Sequence, residues 1–397
     1  MKLESIKLKN FKAFRNVHIK DIPAFCVVVG ANGSGKTTLF DVFGFLRDCL
    51  TYNVTRALQS RGGFKEVVTR GFEKESIVIE LQYRMVITGK NRLVTYSLEI
   101  AQDNGRSVVE QEVLQYKRGA FGSPYQFLKF SRGKGYAITN EEDFDKQDEE
   151  LTREEQSLEG TDLLAIKGLG QFKRFKAANA FRQLLENWHV SDFHIEMVRG
   201  GKDAAGYAEN LSVSGDNLQL VANHLFQNHR DTIFAQIVEI MKRRVPGITA
   251  INPIESPDGR LLLGFQDGSF KDPFIDRFVS DGTLKMFAYL VLLYAPEAHP
   301  LLCIEEPENQ LYPSLLVELA EEFRDYARRG GQVFVSTHSP DFLNACEVDE
   351  VFWLVKQKGY SQVKRASENE QITAYMKSGD KMGYLWKQGF FDGVDPQ

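Results

Sequence analysis

The segment Gly30–Thr37 has the residue types and spacing of a phosphate-binding loop. It reads GANGSGKT, which fits the pattern G-x-x-x-x-G-K-[ST]. Glycines let the backbone N–H groups of such a loop turn toward phosphate oxygens, and the helix that follows adds its positive N-terminal end. We predict that Lys36 reaches the β- and γ-phosphates of a nucleotide and that the Thr37 hydroxyl ligates Mg²⁺. The other nucleotide contacts predicted in this loop are Asn32, Gly33, Ser34, Gly35 and Thr38.

A pair of glutamates is the second feature that could do chemistry. The stretch PLLCIEEPENQLYP, residues 300–313, runs four apolar residues directly into Glu305 and Glu306. Carboxylates at the end of an apolar strand are costly unless a cation or a reacting water needs them. In phosphate-loop proteins one such carboxylate serves the magnesium and, in hydrolytic members, the next activates water. We assign Glu305 to the metal, through a coordinated water, and Glu306 to the attacking water.

The elements that would position these groups lie at the two ends of the chain. FCVVVG, residues 25–30, is typical of a strand that is covered on both faces, and an apolar helix follows the glycine-rich turn. From about residue 276 the pattern predicts a helix over 284–294, a strand over 301–304, a helix over 314–328 and a strand over 332–336. We expect both ends to form one α/β nucleotide-binding fold.

Two inserted lobes are predicted between these ends. Residues 77–83, 94–100, 108–116 and 125–130 read as strands, several of them with period-two alternation, and indicate an antiparallel β lobe. The acidic stretch 140–160 predicts an exposed loop or a frayed helix, and helical periodicity follows it. The predicted division is an N-terminal ATPase lobe (1–60), the β lobe with the acidic loop (61–160), a helical lobe (161–275) and a C-terminal ATPase lobe (276–397).

The composition is that of an ordinary soluble protein. The net charge of −5 provides no overall positive field for nucleic acid, so any DNA contact would be a local patch. The N-terminus lacks a signal-peptide core, and no apolar run reaches membrane-spanning length. The four cysteines have no paired spacing, which favours buried free thiols. We therefore expect a cytoplasmic protein without a membrane partner.

Four fragments, taken in order, resemble one family. They are the phosphate loop, FVSDGTLKMF, IEEPENQLYP and VFVSTHSPDFL. Together they resemble the ABC-type ATPases, and most closely the SMC/RecF and OLD-like group, the AAA-15/AAA-21 predicted ATPases. The opening LESIKLKNFKAFRN is similar to the first strand of that group. The resemblance covers roughly residues 1–60 and 270–355 and implies an α/β, ABC-type P-loop NTPase fold that binds ATP and Mg²⁺.

The resemblance also implies roles for further residues. Ser280 and Gly282 fall in the signature loop, which meets the γ-phosphate held by the other subunit, and Asp281 is expected to point away. His338 matches the switch histidine that senses the γ-phosphate and positions water. Asn309 falls in the dimer-contacting loop.

Two of the implied assignments have plain alternatives. Lys12 matches a basic residue that contacts the phosphates, or it is an exposed charge. Gln171 is the candidate for the glutamine that bridges Mg²⁺ and the middle lobe, or it is a linker residue. The sequence departs from the family pattern at Glu305, where relatives carry Asp, and at Tyr312, where many carry His; both leave the turnover rate open.

The predicted function is that of a Mg²⁺-dependent ATPase switch acting as an ATP-sandwiched dimer or a higher oligomer. DNA maintenance or anti-phage defence with a separate nuclease or effector subunit is the expected setting. The alternatives are an ABC transporter ATPase subunit and an ATP-regulated nuclease component; fewer than 60 residues follow STHSP, so a nuclease is expected on another subunit. The sequence also has two basic clusters, which would be either local DNA contacts or solvated helix faces. The first is Lys167, Lys173, Arg174 and Lys176, and the second is Lys242, Arg243 and Arg244.

Overall fold

A computed structural model describes residues 2–87, 89–116, 124–139, 152–191, 193, 195–199, 206–257 and 259–393. The chain forms two compact units. The first contains Met1–Trp188, Asp349–Asn369 and Phe391–Gln397, and the second contains His189–Val348 and Glu370–Phe390. The boundary at Trp188 falls inside the segment that was predicted as one helical lobe.

The predicted strands are present: those of the β lobe are longer than the patterns gave, 25–30 has the predicted bounds, and 301–304 and 332–336 are each shifted by one residue. The strands are β1 (Lys2–Phe11), β2 (Phe14–Ile19), β3 (Phe25–Gly30), β4 (Ile77–Ile87), β5 (Lys90–Asp103), β6 (Arg106–Tyr116), β7 (Tyr125–Ser131), β8 (Lys134–Ile138), β9 (Arg153–Ser157), β10 (His189–Ser191), β11 (Ile248–Glu255), β12 (Leu261–Asp267), β13 (Phe274–Ile275), β14 (Leu302–Glu305), β15 (Val333–Thr337), β16 (Val351–Gln357) and β17 (Tyr360–Arg365).

The helices confirm the periodic segments of the sequence. They are α1 (Lys36–Thr51), α2 (Val54–Gln59), α3 (Phe64–Val67), α4 (Ala165–Leu169), α5 (Lys176–Glu186), α6 (Ile195–Arg199), α7 (Leu218–Asn228), α8 (Ala235–Arg244), α9 (Asp281–Leu293), α10 (Pro313–Arg328), α11 (Pro340–Leu343), α12 (Glu370–Lys377) and α13 (Met382–Lys387).

The first unit contains the predicted antiparallel β lobe as an eight-stranded sheet in the order β2-β1-β4-β5-β6-β7-β8-β9. Its inner face holds alternate residues of β4, where Ile77, Ile79, Leu81 and Tyr83 are buried. The opening strand β1 pairs with β4, so it belongs to this sheet. The predicted start of the β lobe at residue 61 is therefore wrong, because the pairing partner of β4 lies at the start of the chain.

The two ends of the sequence meet inside the first unit. Strand β3 is buried at all six positions and pairs in parallel with β16, with Val27 opposite Val351. Strand β17 adds to β16 in antiparallel register. This pairing confirms that the N-terminal and C-terminal segments build one fold around the inserted lobe.

The second unit contains the parallel strands β10, β14 and β15. Leu302 pairs with His189 on one side and with Val333 on the other. Every residue of α9 from Thr283 to Leu293 is buried, and α10 is amphipathic with Leu316, Leu319 and Phe323 buried. The carboxyl ends of β14 and β15 therefore meet at one edge of an apolar core.

The predicted helical lobe is only partly helical. Up to Arg244 the described residues of this segment form helices and the short strand β10, but β11, β12 and β13 then form a three-stranded antiparallel sheet. The prediction of a helical lobe through residue 275 is wrong here, because Ile251, Leu263 and Phe265 bury their side chains from paired strands.

The predicted acidic loop lies partly outside the described residues, which omit 140–151. Of its remainder, Arg153–Ser157 is strand β9 and pairs with β8. The prediction of a loop or frayed helix is wrong for these residues. Alternate side chains of β9 are exposed, which suits a charged edge strand.

All four cysteines are buried, and none of them forms a disulfide bond, as predicted. Burial raises the pKa of the Cys26 and Cys49 thiols. No helix in the described ranges combines the length and the apolarity needed to cross a bilayer.

Candidate functional site

The phosphate loop connects β3 directly to α1. The chain leaves β3 at Gly30 and begins α1 at Lys36, with Gly35 as the N-cap. Gly33 and Gly35 have φ angles of 77° and 110°, a left-handed conformation that favours glycine. A Cβ at Gly35 would lie 2.7 Å from the Ser361 Oγ, so the loop also has no room for a side chain there.

The Lys36 side chain folds back onto the start of the phosphate loop. Its side-chain ammonium donates hydrogen bonds to the carbonyl oxygens of Gly30 (2.8 Å) and Ala31 (3.3 Å). The residue is 6% exposed, whereas Thr37 is exposed at the start of α1. This arrangement leaves the lysine charge and the threonine hydroxyl beside the same turn.

The residues present fit a bound triphosphate with its metal. Asn32 and Gly33 are exposed, Thr38 is half-buried, and the buried Ser34 Oγ has no hydrogen-bond partner within the described structure. Backbone amides at a helix start, one ammonium and a free hydroxyl are the donors that phosphate oxygens take. A hydroxyl oxygen such as that of Thr37 is a ligand that Mg²⁺ takes.

Ser361 is a loop-positioning residue that the sequence did not reveal. It is fully buried on β17, and its hydroxyl donates to the carbonyl oxygen of Ser34. Its backbone N–H donates to Ala13 O at 2.9 Å. Ser361 thereby ties the phosphate loop to the turn between β1 and β2, and nothing in its local sequence indicates this role.

Lys12 and Gln171 have different surroundings in the first unit. Lys12 has a φ of 47°, and its ammonium lies 2.7 Å from Asp41 Oδ2 on α1. Arg61 also binds Asp41, at 2.7 Å. Gln171 is exposed in the turn after α4, and no hydrogen bond in the described structure joins its side chain to the phosphate loop. The nucleotide role of Lys12 and the metal role of Gln171 stay predictions.

The two glutamates lie at the carboxyl end of β14. Glu305 is opposite Ser336 in the parallel pairing of β14 with β15, and Glu306 follows immediately. Glu306 has a φ of 42°, a strained conformation for a residue with a side chain, and its N–H donates to Ser336 O at 2.9 Å. The chain therefore turns sharply between the two carboxylates and gives them different environments.

The structure brings Glu306 and His338 together. His338 follows β15, and its Nδ1 lies 3.3 Å from Glu306 Oε1. The Asn309 amide donates to Glu306 Oε2 at 3.3 Å. A carboxylate that accepts from an amide and faces an imidazole can orient and deprotonate a water.

Glu308 is a third carboxylate in this region, and the sequence motif alone indicates no role for it. Its Oε1 accepts hydrogen bonds from the Thr337 hydroxyl (2.7 Å) and the His338 N–H (2.9 Å). Its side chain is 8% exposed, and its Oε2 has no hydrogen-bond partner within the described structure. Glu308 therefore fixes the backbone that carries His338. The sequence signal for this role was the position of Glu308 as the second glutamate of the E-P-E pattern.

Lys285 joins α9 to the loop after Glu306. The residue is 3% exposed and its ammonium donates to Asn309 O at 2.8 Å. Burial lowers the pKa of Lys285 to about 8, against the opposing attraction of Glu308 and Glu306. The sequence signal for this contact was a single lysine among the apolar residues of α9.

Ser280 and Gly282 stand at the start of α9. Ser280 is exposed and is the N-cap, accepting a hydrogen bond from Thr283 N at 3.3 Å. A Cβ at Gly282 would lie 2.9 Å from the carbonyl oxygen of Gln310, so glycine permits the close approach of the loop that carries Asn309. The start of α9 thus presents a hydroxyl and free helix N–H groups on the surface of the second unit.

Several members of the two basic clusters serve contacts within the chain. The Lys167 ammonium donates to the carbonyl oxygens of Thr51 and Tyr52, and Arg174 binds Glu154 at 3.0 Å. Arg244 pairs with Glu318 and Glu322. These contacts favour a structural role within the chain over DNA contacts for Lys167, Arg174 and Arg244.

A family comparison agrees with this geometry. The family described as "AAA domain, putative AbiEii toxin, Type IV TA system" matches residues 25–344. The chain belongs to this family. Its phosphate loop, carboxylate pair and His338 all lie inside the match. The chain is therefore a P-loop ATPase of the SMC/RecF/OLD-like group, as the sequence predicted.

Two curated relatives are similar over parts of the chain. The DNA replication and repair protein RecF of Paenarthrobacter aurescens (strain TC1) is 30% identical over 99 residues, which is 23% of this chain and 24% of that protein. The Old nuclease of Escherichia phage P2 is 22% identical over 236 residues, 49% of this chain and 40% of that protein. The matched regions thus span less than half of each relative.

Solved structures show the fold. A SmcHead bound to the C-winged helix domain of ScpA matches with a TM-score of 0.56 and 14% identity, covering 92% of this chain and 97% of that chain. An Smc head domain with an extended coiled coil, bound to the C-terminal domain of ScpA derived from Pyrococcus furiosus, matches with a TM-score of 0.52 and 15% identity, covering 95% and 99%. These matches confirm the ABC-type P-loop NTPase fold.

Proposed function

We propose that this protein is a Mg²⁺-dependent ATP-hydrolysing switch that works as an ATP-sandwiched dimer. The observation that carries hydrolysis is the Glu306 carboxylate, 3.3 Å from the His338 imidazole at the end of an apolar strand. In this proposal Glu306 takes a proton from the attacking water and His338 orients that water against the γ-phosphate. Lys36 and the amides of the phosphate loop hold the phosphates.

A metal ion is part of the proposal. Thr37 and Glu305 would hold Mg²⁺, which when bound neutralises charge on the phosphates. Glu305 is one methylene longer than the aspartate of relatives, which a coordinated water between carboxylate and metal would absorb.

The dimer is supported by the exposed start of α9. The Ser280 hydroxyl and the α9 N–H groups form a site for an anion, and we propose that this anion is the γ-phosphate of the ATP that the other protomer binds. Each ATP would then be covered by Ser280 and Gly282 of the partner copy. Hydrolysis would release the two protomers.

We place this switch in DNA maintenance or anti-phage defence, with a separate effector subunit and a cytoplasmic location. The similarity to RecF, a DNA replication and repair protein, and to the Old nuclease supports this setting. The second of these also favours a nuclease as the effector. Within the chain, we propose two ATPase segments at the ends and two inserted lobes, with β1 and β2 counted in the β lobe and β11, β12 and β13 in the second lobe.

Glu306→Gln tests the proposal, because it keeps the side-chain shape and removes the base. We expect ATP to bind normally, turnover to fall by ~10²-fold or more, and the closed dimer to accumulate. Glu305→Gln should instead weaken Mg²⁺ dependence and ATP retention together, and Glu305→Asp should be tolerated. Phosphate release over a Mg²⁺ titration, with nucleotide retention on a desalting column, separates these outcomes. Wild-type turnover in Glu306→Gln together with trapping in Glu305→Gln would reverse the two roles.

A further inference from the structure

Arg199, the last residue of α6, binds the loop that leads into α9. Its Nη1 donates to the carbonyl oxygens of Asp276 (3.1 Å) and Arg277 (2.7 Å). Its Nη2 donates to the carbonyl oxygen of Val279, and its Nε donates to Asp281 Oδ1 at 3.1 Å. One guanidinium therefore contacts four residues within six positions of the chain.

This loop needs an external donor because its backbone is irregular. A short 3₁₀ turn covers Asp276–Phe278, and extended backbone follows at Val279 and Ser280 before α9 begins. The turn supplies one backbone bond, from Val279 N–H to Asp276 O at 3.4 Å, but no full ladder of a helix or a sheet covers the segment, and an unpaired carbonyl is costly. Arginine carries five donors in a rigid fork, so a single side chain can satisfy several of these groups at once.

A second contact holds the same loop from α7. The Gln219 amide donates to Asp276 Oδ2 at 2.7 Å and to the carbonyl oxygen of Val198 at 3.3 Å. Asp276 is 2% exposed, and burial raises its pKa. The beginning of the loop is thus anchored in the core, while Arg199 fixes its path as far as Asp281.

The ion pair with Asp281 also explains how a carboxylate is tolerated in this position. Asp281 is the residue after Ser280, where a negative charge would repel a phosphate. Its Oδ1 pairs with the Arg199 guanidinium, so the charge is neutralised and the carboxylate is held. Ser280 meanwhile stays exposed with its hydroxyl at the N-cap of α9.

We propose that Arg199 is a positioning residue for the composite ATP site: it shapes the signature loop and neutralises Asp281, so that Ser280 can meet the phosphate bound by a second copy of this chain. The inference rests on the proposed function. Because the loop serves the nucleotide of the partner, loss of Arg199 should spare ATP binding by the P-loop of the same protomer.

The test compares Arg199→Ala, Arg199→Lys, Asp281→Asn and Arg199→Ala/Asp281→Asn, with Arg328→Ala as a control. Arg328 is an arginine of the same unit whose side chain is 71% exposed and pairs only with Asp325 among its described ion pairs. We expect Arg199→Ala to bind ATP with Mg²⁺ within about twofold of wild type and to lose ~10-fold or more of its turnover and ATP-driven dimerisation. Asp281→Asn added to Arg199→Ala should restore part of the loss, because it removes the unpaired charge. The turnover of Arg199→Lys should lie between those of wild type and Arg199→Ala, since lysine keeps the positive charge but lacks the forked set of donors.

A mixing experiment separates this role from a general loss of structure. Alone, Lys36→Ala is expected to be inactive, and Arg199→Ala is expected to keep about a tenth or less of the wild-type turnover. Mixed, they form one site from the intact P-loop of the first and the intact signature loop of the second, and turnover should reappear. A misfolded Arg199→Ala protomer could not complement in this way, and thermal unfolding of each variant checks the same point directly.

Each outcome decides one of the two proposals. If Glu306→Gln dimerises with ATP, Ser280→Arg does not, and Arg199→Ala turns over at the wild-type rate, the role of Arg199 is wrong and the sandwich stands. An Arg199→Ala protein that loses ATP affinity as strongly as turnover, or fails to complement Lys36→Ala, also overturns it. If wild type and Glu306→Gln stay monomeric with ATP, and Ser280→Arg hydrolyses normally, the sandwich and this inference fail together.

Discussion

At the scale of single residues, the structure gives Glu308 a role that the motif alone did not. Glu305 and Glu306 are adjacent carboxylates whose proposed roles follow from strand position, but Glu308 acts through the backbone of the next strand. Its Oε1 holds Thr337 and the His338 N–H, and its side chain is almost fully buried. A buried acceptor of this kind determines where the histidine can stand.

Replacing Glu308 should impair turnover without changing ATP binding. Glu308→Ala removes the acceptor for Thr337 and His338, and we expect turnover to fall roughly tenfold, the order of one hydrogen bond to a charged group. Glu308→Gln keeps an acceptor oxygen and should lose less. Steady-state phosphate release and equilibrium ATP binding measure the two effects. Equal turnover in wild type and Glu308→Ala would remove the positioning role. Glu321→Ala, an exposed carboxylate on α10, is the matched control.

At the scale of elements, the short helix α4 connects the β lobe to the helix of the phosphate loop. Glu112 on β6 accepts hydrogen bonds from the backbone N–H groups of Ala165 and Ile166 and from the Tyr96 hydroxyl. From the same helix, Lys167 donates to the carbonyl oxygens at the end of α1. A carboxylate at the start of α4 and a lysine from within it therefore fix its position.

Glu112 should make the stability of the first unit depend on pH. Burial raises its pKa from 4.5 to about 7, with the three hydrogen bonds opposing this. The native state therefore holds the proton more tightly, so this contribution to stability is complete below pH 4.5 and is lost as the pH rises through about 7.

We expect the free energy of unfolding of wild type, relative to Glu112→Gln, to decrease by up to roughly 3 kcal/mol between pH 4.5 and pH 8. Urea unfolding of both proteins at several pH values gives this difference. Glu110 is a partly exposed carboxylate on the same strand, and the free energy of unfolding of Glu110→Gln should change with pH in parallel with wild type. Parallel profiles for wild type and Glu112→Gln would show that the buried carboxyl does not change its proton affinity on folding.

At the scale of the whole molecule, the residues that we propose for the chemistry belong to two compact units. The phosphate loop with Lys36 belongs to the first unit, and Glu306, His338 and Ser280 belong to the second. The proposed dimer adds a second division, because Ser280 of one copy would serve the ATP of the other. Nucleotide state and oligomeric state should therefore change together.

Ser280→Arg should keep the protein monomeric in the presence of ATP and Mg²⁺. Ser280 is exposed, so the larger side chain fits the isolated chain, and the lost N-cap costs only about 1 kcal/mol. In the dimer it would place bulk at the composite site. Light scattering with and without ATP, in the Glu306→Gln background, measures the effect. Ser378→Arg, at an exposed position after α12, should dimerise like its parent. Equal dimerisation of both variants would contradict the sandwich.

The sequence by itself determined the parts whose chemistry is local. GANGSGKT places a phosphate loop between a buried strand and a helix, since glycine conformation and a following helix need only neighbouring residues. The period-two segments predicted the β lobe, and the apolar run before Glu305 predicted β14. The family resemblance then implied a role for each of these parts.

Only the tertiary structure decided the contacts between distant segments. The Ser361 hydroxyl meets Ser34 across 327 positions of the chain, and Arg199 meets Asp281 across 82. The assignment of residues 161–275 as a helical lobe likewise missed β11–β13, because the helical periodicity seen before residue 245 carried no information about the pairing of the strands after it. A serine or an arginine in a local pattern looks like any surface residue. Its role arises from burial and from the carbonyl groups that folding brings within hydrogen-bonding distance.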